Sequence, residues 1–340
     1  MKHSNRRLRA ARRTMIAVLM GMVVASGSVF ATGQPETDGD TLRIGISQFV
    51  THPALDAVRQ GLQDELAEQG FDVDYDVQNA NADITTARQI ATKFDSDRVD
   101  LAVGIATPVA QALKAALDDI PIVYTAITDP VSAGLSASLT EGEPGITGVS
   151  HRTPVQQQIE FMMELHDMEA LGHVYSSGED NAVFLANQTR EAAEALGLEF
   201  VSQTITNPSE VRTATQSIIG RVDAIYVSTD NQVVSALSAL SEVAAGEGVP
   251  VLSADPASAM ENEVFVAWGF DWYAIGRMTG ELVGRILNGE DPGAIPTVLA
   301  DNADEMSMVL NLDVADRIGI SLPADVVENA DTVIEGGEAR

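Results

Sequence analysis

Short apolar runs alternate with amphipathic segments along most of this chain. One segment begins at Pro53, carries leucine or valine at helical spacing from Leu55 to Leu66, and stops at Gly70, which predicts a helix. The same pattern predicts helices at 53–69, 160–166, 180–196, 208–219, 231–245 and 272–287. The apolar runs predict strands at 42–49, 71–77, 100–105, 121–127, 145–149, 173–176, 200–205, 223–227, 249–253 and 264–268.

Such an alternation of strands and helices is typical of parallel α/β sheets. Two runs, 101–105 and 224–227, are apolar throughout, as expected for strands that helices cover on both faces. Each run follows an aspartate, leads into a threonine-bearing end and precedes a helix, so the two halves of the chain resemble one another. The sequence therefore predicts an α/β fold with two doubly wound parallel-sheet lobes that face each other across a cleft.

The first 31 residues have the layout of a signal peptide. Residues 1–13 include six basic residues and no acidic one, and an apolar run at 15–24 follows them. Val29 and Ala31 supply the small residues that signal peptidase needs, so we expect cleavage after Ala31 and a soluble protein in the periplasm or outside the cell. The apolar run is too short to span a bilayer. The paired arginines leave general and twin-arginine export both open, and residues 32–40 predict a short disordered leader.

Composition narrows the classes of function. The 340 residues include 50 acidic and 20 basic ones, and losing the six basic residues of the signal changes the formal net charge from −30 to −36. Nucleic acids and anionic membranes bind through lysine and arginine, so both are poor partners for this chain, and we predict no nucleic-acid partner. The absence of cysteine excludes disulfides, thiolate metal sites and a lipid-bearing cysteine. An acid-rich, lysine-poor surface also fits saline surroundings, where salt screens the repulsion.

Polar residues follow five of the predicted strands, at the edge where open α/β sheets bind ligands. Asp129, Asp230 and Asp255 suit the ammonium group of a ligand, whereas Thr107, Ser177 and helix N–H groups suit a carboxylate. The same residue types are the preferred helix caps, so capping alone explains any single position. We interpret the five ends together as the lining of one cleft. Its candidate ligand-binding residues also include Thr128 and Asn181.

Aromatic and histidine residues add further candidates. Phe49 and Trp268 lie at strand-to-helix junctions where a ring could stack on a ligand, whereas Trp272 fits the edge of a core slightly better. His52, in the turn before the first helix, could hydrogen-bond a ligand. The sequence has no nucleophile elbow, phosphate loop or zinc-protease motif, and its five histidines share no ligand spacing. We therefore predict no catalytic residue, no metal and no cofactor.

Seven short stretches, taken in order and spacing, carry a resemblance to a known family. They are His52-Pro53-Ala54-Leu55-Asp56, Gly104-Ile105-Ala106-Thr107-Pro108, Ala126-Ile127-Thr128-Asp129-Pro130-Val131, Gly145-Ile146-Thr147-Gly148-Val149-Ser150, Tyr175-Ser176-Ser177-Gly178-Glu179-Asp180-Asn181, Val227-Ser228-Thr229-Asp230-Asn231 and Gly269-Phe270-Asp271-Trp272-Tyr273. From about Leu42 to Pro296, the chain resembles the tryptophan/tyrosine-type substrate-binding proteins of ABC transporters, which have the type I periplasmic-binding-protein fold.

The resemblance implies two lobes joined by three crossings, with residues 41–149 and 268–297 in lobe I and residues 150–267 and 298–335 in lobe II. It also implies a membrane permease and a cytoplasmic ATPase as partners. Many members bind an aromatic or other amino acid, and the implied contacts are His52, Thr107, Thr128, Asp129, Ser177, Asn181, Asp230 and Asp255. Two features depart from the family: the cysteine for a lipid anchor is missing, and Trp268 stands where a smaller side chain is frequent.

We expect a monomer whose lobes hinge open and shut, with the ligand stabilising the closed state because contacts from both lobes converge only there. Three alternatives stay open at this point. The chain could report its ligand to a membrane kinase or chemoreceptor, it could bind a sugar-like or nucleoside-like molecule, or it could be an exported enzyme on the same architecture.

Overall fold

The computed structural model describes residues 41–300 and 306–340, so the predicted signal peptide and leader lie outside the described residues. Its strands are β1 (Leu42–Gln48), β2 (Val73–Asn79), β3 (Leu101–Ile105), β4 (Ile122–Ile127), β5 (Ile146–His151), β6 (Ala170–Ser176), β7 (Glu199–Ile205), β8 (Ala224–Val227), β9 (Val251–Ser253), β10 (Val266–Phe270), β11 (Val298–Ala300), β12 (Met306–Asn311), β13 (Thr332–Glu335) and β14 (Glu338–Ala339). Its α-helices are α1 (Pro53–Glu68), α2 (Ile84–Asp97), α3 (Thr107–Ala116), α4 (Val155–Leu165), α5 (Asp180–Ala195), α6 (Val211–Ile218), α7 (Asn231–Ser235), α8 (Leu237–Gly246), α9 (Pro256–Ala259), α10 (Trp272–Leu287), α11 (Leu312–Ile318) and α12 (Ala324–Glu328).

The first sheet has the strand order β11-β5-β4-β3-β1-β2, and its neighbouring strands run parallel. β3, β4 and β5 are buried along their whole length. Their apolar side chains form one core with the inner faces of α1, α2, α3 and α10. This sandwich of helices around a parallel sheet explains why the strand residues are apolar throughout.

The second sheet has the order β14-β13-β12-β10-β9-β8-β6-β7. The strands from β7 to β10 run parallel to their neighbours, whereas β12 runs antiparallel to β10 and β14 antiparallel to β13. Two clusters of buried apolar residues form the core of this lobe. The predicted α/β fold with two parallel-sheet lobes is confirmed, and the antiparallel edge is an addition that the sequence did not predict.

The chain crosses between the two lobes later than predicted. The first crossing lies at 152–154, between β5 and α4, and the second lies at Asp271, between β10 and α10. Before the third crossing, β11 still pairs with β5 in the first sheet up to Ala300, whereas β12 pairs in the second sheet from Met306. The predicted boundaries after 149, 267 and 297 are therefore a few residues too early. β5 and β10 extend beyond their apolar runs through polar and glycine residues, and β11 was not predicted.

Helix α10 packs lengthwise along α1 in the first lobe. A methyl group at Gly61 would overlap the carbonyl oxygen of Tyr273, and one at Gly276 would overlap that of Val58, so glycine at both positions lets the backbones touch. The start of α10 therefore lies beside the start of α1. This packing brings Trp272 to the same side of the lobe as His52, the residue before α1.

Other element boundaries also differ from the predicted ones. The helix predicted at 231–245 is interrupted at Ala236, whose φ of −119° and ψ of 24° are not helical, so α7 and α8 are separate. The helix predicted at 160–166 begins at Val155, because three glutamines hide the apolar spacing of its first turn. Among the residues that the structure describes, no helix is both long and apolar enough to cross a membrane.

Candidate functional site

A cavity of about 300 Å³ lies where the carboxyl ends of the parallel strands of both sheets meet. The first lobe contributes side chains from the start of α1, the ends of β4 and β5, and the start of α10. The second lobe contributes the turns after β8 and β9. The lining of the cavity includes His52, Leu55, Ala126, His151 and Trp272 from the first lobe, and Thr229, Asp230, Asn231 and Asp255 from the second.

The backbone is strained at two places on the first-lobe side of this region. Ala106, between β3 and α3, has φ 87° and ψ 154°, a conformation that essentially only glycine adopts without cost. Ala126, in β4, has φ 57°, and the pairing of β4 with β5 shifts register there. Strain of this kind concentrates at ligand sites, where the surrounding structure holds it in place. Here the strained residues lie at or near the carboxyl ends of β3 and β4.

Asp230 is a buried carboxylate that its own lobe fixes firmly. It accepts hydrogen bonds from the backbone N–H groups of Ser176 at 2.6 Å, Gln232 at 3.0 Å and Val233 at 3.1 Å. These bonds cap α7 and tie its start to the end of β6. A carboxylate has about four lone-pair sites, so Asp230 keeps capacity for one more donor while it lines the cavity.

Asp255 is the second buried carboxylate in the lining. It accepts a 2.6 Å hydrogen bond from the hydroxyl of Ser258 and a 3.4 Å bond from the backbone N–H of the same residue. The indole Nε1 of Trp272 donates to it at 3.0 Å. Because Trp272 belongs to the first lobe and Asp255 to the second, this bond crosses the cleft.

Glu179 lies close to Asp230, and both accept a hydrogen bond from the backbone N–H of Gln232. It was not among the predicted site residues, although it lies within one of the stretches that carry the family resemblance. It is buried and accepts hydrogen bonds from the amides of Asn231 and Asn181 and from the backbone N–H of Gln232. Burial, together with the nearby charge of Asp230, raises the pKa of Glu179. Burial also raises the pKa of Asp230. The second lobe thus holds two acidic groups, without a cationic side chain hydrogen-bonded to either among the described residues.

Buried polar atoms without hydrogen-bond partners among the described residues concentrate around the cleft. The hydroxyl of Thr107 lies at the start of α3, that of Ser47 lies near the end of β1, and those of Ser228 and Thr229 follow β8. The amide oxygen of Asn181, in the first turn of α5, is also unpartnered. Such groups are rare in folded proteins because each is costly to bury. A polar ligand between the lobes would supply the partners that the chain itself does not.

Two histidines line the cavity. Burial lowers the pKa of His52, although the carboxylates of Asp255 and Asp56 act in the opposite direction. Burial alone lowers the pKa of His151 to about 3. The ring nitrogens of both histidines lack hydrogen-bond partners within 41–300 and 306–340. Both rings are therefore available to a ligand in the neutral form, which offers one donor and one acceptor each.

A second cavity, of about 530 Å³, includes Thr128 and Asp129 of the first lobe and Phe184 and Gln188 of α5. Arg152, in the first crossing between the lobes, also lines it. One carboxylate oxygen of Asp129 already has a partner in the protein, because Oδ1 accepts a 2.7 Å hydrogen bond from the backbone N–H of Ser132. Of the predicted contacts of the first lobe, His52 thus lines the first cavity, and Thr128 and Asp129 line the second.

Five predicted residues line neither of these two cavities: Thr107, Asn181, Phe49, Trp268 and Ser177. Phe49 is fully buried in the core of the first lobe, and the ring of Trp268 packs edge-on against Phe161 at 5.7 Å, so neither lines the cavity as a stacking ring. Trp272, which the sequence assigned to a core edge, is the aromatic ring in the lining. Ser177 is exposed and donates from its hydroxyl to the carbonyl of Ile205 at 3.2 Å, because the turn after β6 points it away from the cavity lining.

Some lining residues were missed by the sequence reasoning. His151 ends β5, but the predicted strand stopped at 149, so the rule that selected other strand ends passed over it. If the predicted strand at 145–149 had been extended by two residues, His151 would have stood at its end and would have been selected. Thr229 and Asn231 flank the predicted Asp230 and belong to the same turn. In the part of the chain that the structure describes, no group of three or more acidic or histidine residues is placed to hold a metal ion.

The rims of the two lobes also touch. Gln111 of α3 donates from Nε2 to Oδ2 of Asp180, at the start of α5, with a distance of 2.7 Å. The same amide nitrogen donates to the carbonyl of Ala133 at 3.0 Å within the first lobe. Together with the bond between Trp272 and Asp255, this contact joins the two lobes through side-chain hydrogen bonds.

Comparison with known proteins identifies the family. The model of the family described as ABC transporter substrate binding protein matches residues 43–334. This chain belongs to that family. A tyrosine-binding protein of Clostridioides difficile (strain R20291) is 34% identical to it over 304 residues, which cover 88% of this chain and 87% of the relative. The resemblance drawn from the seven sequence stretches is thereby confirmed.

Two solved structures also match over nearly the whole described chain. An ABC domain in complex with L-Trp from Streptococcus pneumonia is 31% identical, with a TM-score of 0.82 over 86% of this chain and 100% of that one. The ligand-free, open structure of a substrate binding protein from Clostridium difficile is 34% identical, with a TM-score of 0.64 over 86% of this chain and 99% of that one. The sequence identity to this chain is similar for both, and the chain superposes better on the L-Trp complex than on the open, ligand-free structure.

Proposed function

We propose that this chain is the exported receptor of an ABC importer and binds one aromatic amino acid in the cavity between its lobes. The receptor delivers the amino acid to a membrane permease whose cytoplasmic ATPase drives uptake. It works as a monomer and without catalysis. Export is supported by the signal-peptide layout of residues 1–31, and the importer by the family to which the chain belongs.

The observation that carries this proposal is the convergence of buried charged and polar groups from both lobes on one cavity. Asp230 and Asp255 bring two carboxylates to its second-lobe side. Among the described residues, no lysine or arginine lines this cavity. An ammonium group is the ligand feature that such an environment favours, because an opposite charge stabilises buried carboxylates. We assign the amino group of the ligand to this side.

The first lobe offers groups that suit a carboxylate. The start of α3 presents backbone N–H groups and the unpartnered hydroxyl of Thr107, and the hydroxyl of Ser47 lies near the end of the adjacent strand β1. Helix N-termini attract anions through these N–H groups and through the helix dipole. An α-amino acid would therefore place its carboxylate towards the first lobe and its ammonium group towards the second.

An aromatic side chain fits the remaining lining. Trp272, Leu55 and Val234 give the cavity an apolar part. The relatives support the same class, since one is named a tyrosine-binding protein and another was solved with L-Trp. Opposite ends of one ligand then contact opposite lobes, which favours the closed state over the open one.

Isothermal titration calorimetry with the twenty amino acids, a sugar panel and a nucleoside panel tests the proposal. We expect binding of aromatic amino acids and little or no heat for the rest. Asp255→Asn should weaken binding tenfold or more, whereas Asp291→Asn, which alters an exposed cap in the first lobe, should leave it unchanged. Binding of sugars or nucleosides without binding of any amino acid would reject the ligand class.

A further inference from the structure

The imidazole of His151 is buried in the cavity, and none of the ligand contacts proposed for the ammonium, carboxylate or aromatic group involves it. It is the last residue of β5, is 1% exposed, and lines the cavity. Neither ring nitrogen has a hydrogen-bond partner in the part of the chain that the structure describes. Leaving buried polar atoms unpaired is unfavourable, so proteins retain them mainly where a ligand or ordered water completes their hydrogen bonds.

Aromatic neighbours hold the ring of His151 in place. Its centroid lies 5.4 Å from that of Phe270 and 5.0 Å from that of Trp272, with interplanar angles of 67° and 82°. Edge-to-face packing of this kind is favourable for aromatic pairs. These contacts fix the ring without using either nitrogen as a hydrogen-bond donor or acceptor.

The surroundings of His151 differ from those of His52. The carboxylates of Asp255 and Asp56 act on His52, which places it near the charged end of the cavity. No charged group contributes appreciably at His151, where burial alone holds the imidazole neutral at pH 7. A neutral ring in a neutral, aromatic environment suits an uncharged polar partner better than an ammonium or a carboxylate group.

We propose that His151 hydrogen-bonds the polar atom on the ring of the bound amino acid, a phenolic hydroxyl or an indole N–H. His151 thereby selects tyrosine and tryptophan over phenylalanine. The inference rests on the proposed function, because it requires an aromatic amino acid in this cavity. A phenol both donates and accepts, and an indole N–H donates, so a neutral imidazole can pair with either.

The expected selectivity follows from the cost of an unpaired group. Phenylalanine would fill the aromatic part of the cavity but leave both nitrogens of His151 without a partner. Sites built to hydrogen-bond a ligand hydroxyl discriminate strongly against the analogue that lacks it. For a single neutral hydrogen bond we expect a preference of roughly 10- to 100-fold for tyrosine over phenylalanine.

The test compares the dissociation constants of L-tyrosine, L-tryptophan and L-phenylalanine by isothermal titration calorimetry. His151→Phe keeps an aromatic ring against Phe270 and Trp272 but removes both nitrogens, so the preference over phenylalanine should fall to about one. His151→Leu is the second variant, with the same expected loss, should the first fail to fold. His151→Gln keeps one donor and one acceptor and should retain part of the preference.

His173→Phe is the matched control. This buried histidine belongs to the second lobe, donates from Nδ1 to the carbonyl of Tyr226 at 2.8 Å, and does not line the cavity. Its replacement should leave the ratio of affinities unchanged. Equal binding of tyrosine and phenylalanine by the wild type, or an unchanged preference in His151→Phe, would overturn the inference while the receptor role stands. If no amino acid binds at all, the proposed function itself fails.

Discussion

The indole Nε1 of Trp272 donates a 3.0 Å hydrogen bond to Oδ1 of Asp255, and this bond joins the two lobes at the cavity. Trp272 is the first residue of α10 in the first lobe, whereas Asp255 follows β9 in the second. Ser258 already fixes the carboxylate within its own lobe through two hydrogen bonds. The bond from Trp272 is therefore the part of this arrangement that depends on closure.

Replacing Trp272 by phenylalanine should shift the equilibrium towards the open state. The variant keeps an aromatic ring but loses the N–H, and a hydrogen bond to a charged group contributes about 1.5–3 kcal/mol. We expect the affinity for the amino acid to fall by roughly 10- to 100-fold. Calorimetry measures the affinity, and small-angle X-ray scattering with ligand measures closure. The neighbouring Tyr273→Phe, whose hydroxyl bonds to Asp64 within the first lobe, should change neither.

The contact between Gln111 and Asp180, which also joins the two lobes, should act on the same equilibrium. Gln111→Ala removes the only side chain of α3 that donates to α5 within the described residues. Its partner is exposed, so the contribution is smaller, about 1 kcal/mol, and the affinity should fall roughly fivefold. We expect faster ligand dissociation in stopped-flow measurements. Gln60→Ala, which removes a bond to Asp64 on the surface of α1, is the control, and an equal effect there would contradict the prediction.

The fold was largely predictable because its strongest signals are local. Buried parallel strands such as β3 and β8 appear as uninterrupted apolar runs, and α1 has both its start and its end marked by Pro53 and Gly70. The later elements were harder to predict. β11 has only three residues. β12 opens with Met306 and Ser307 and pairs antiparallel with β10. No local pattern encodes such a pairing between distant segments.

Buried histidines make the stability of this protein depend on pH. Burial lowers the pKa of His173 to about 4 and that of His151 to about 3. Because these values lie below that of the unfolded chain, about 6.5, the unfolded state takes up protons first as the pH falls. The stabilisation is complete above pH 6.5 and is lost progressively below it, by about 2 kcal/mol per histidine at pH 5.

The variant His173→Phe should reduce that dependence. Between pH 7 and pH 5, its free energy of unfolding should fall by about 2 kcal/mol less than that of the wild type, because one titrating group has been removed. Urea denaturation at both pH values gives the two differences. Glu179, whose raised pKa acts in the opposite direction, is present in both proteins and cancels in the comparison. Phe200→Leu alters the packing against the same ring and should leave the pH dependence intact.

The site was predictable only in part, for a physical reason. Strand ends with Asp, Ser or Thr stand out in the sequence, and Asp230 and Asp255 were found in this way. Their hydrogen bonds show that one residue can both cap a helix and line the cavity, so the two interpretations do not exclude each other. Trp272 and His151 meet only because α10 returns to pack on α1, and such a contact between distant segments leaves no local pattern.

The strained backbone at Ala106 gives a prediction about stability that side-chain contacts alone would not. Its φ of 87° and ψ of 154° cost a residue with a Cβ about 1–3 kcal/mol, and glycine adopts this conformation freely. Ala106→Gly loses about 0.5–1 kcal/mol through the greater freedom of glycine in the unfolded chain. The net result should be a gain of about 1 kcal/mol in the free energy of unfolding, measured by urea denaturation. Ala112→Gly, within α3, should instead lower it by about 1 kcal/mol. Equal destabilisation by both variants would contradict the prediction that the backbone at Ala106 is strained.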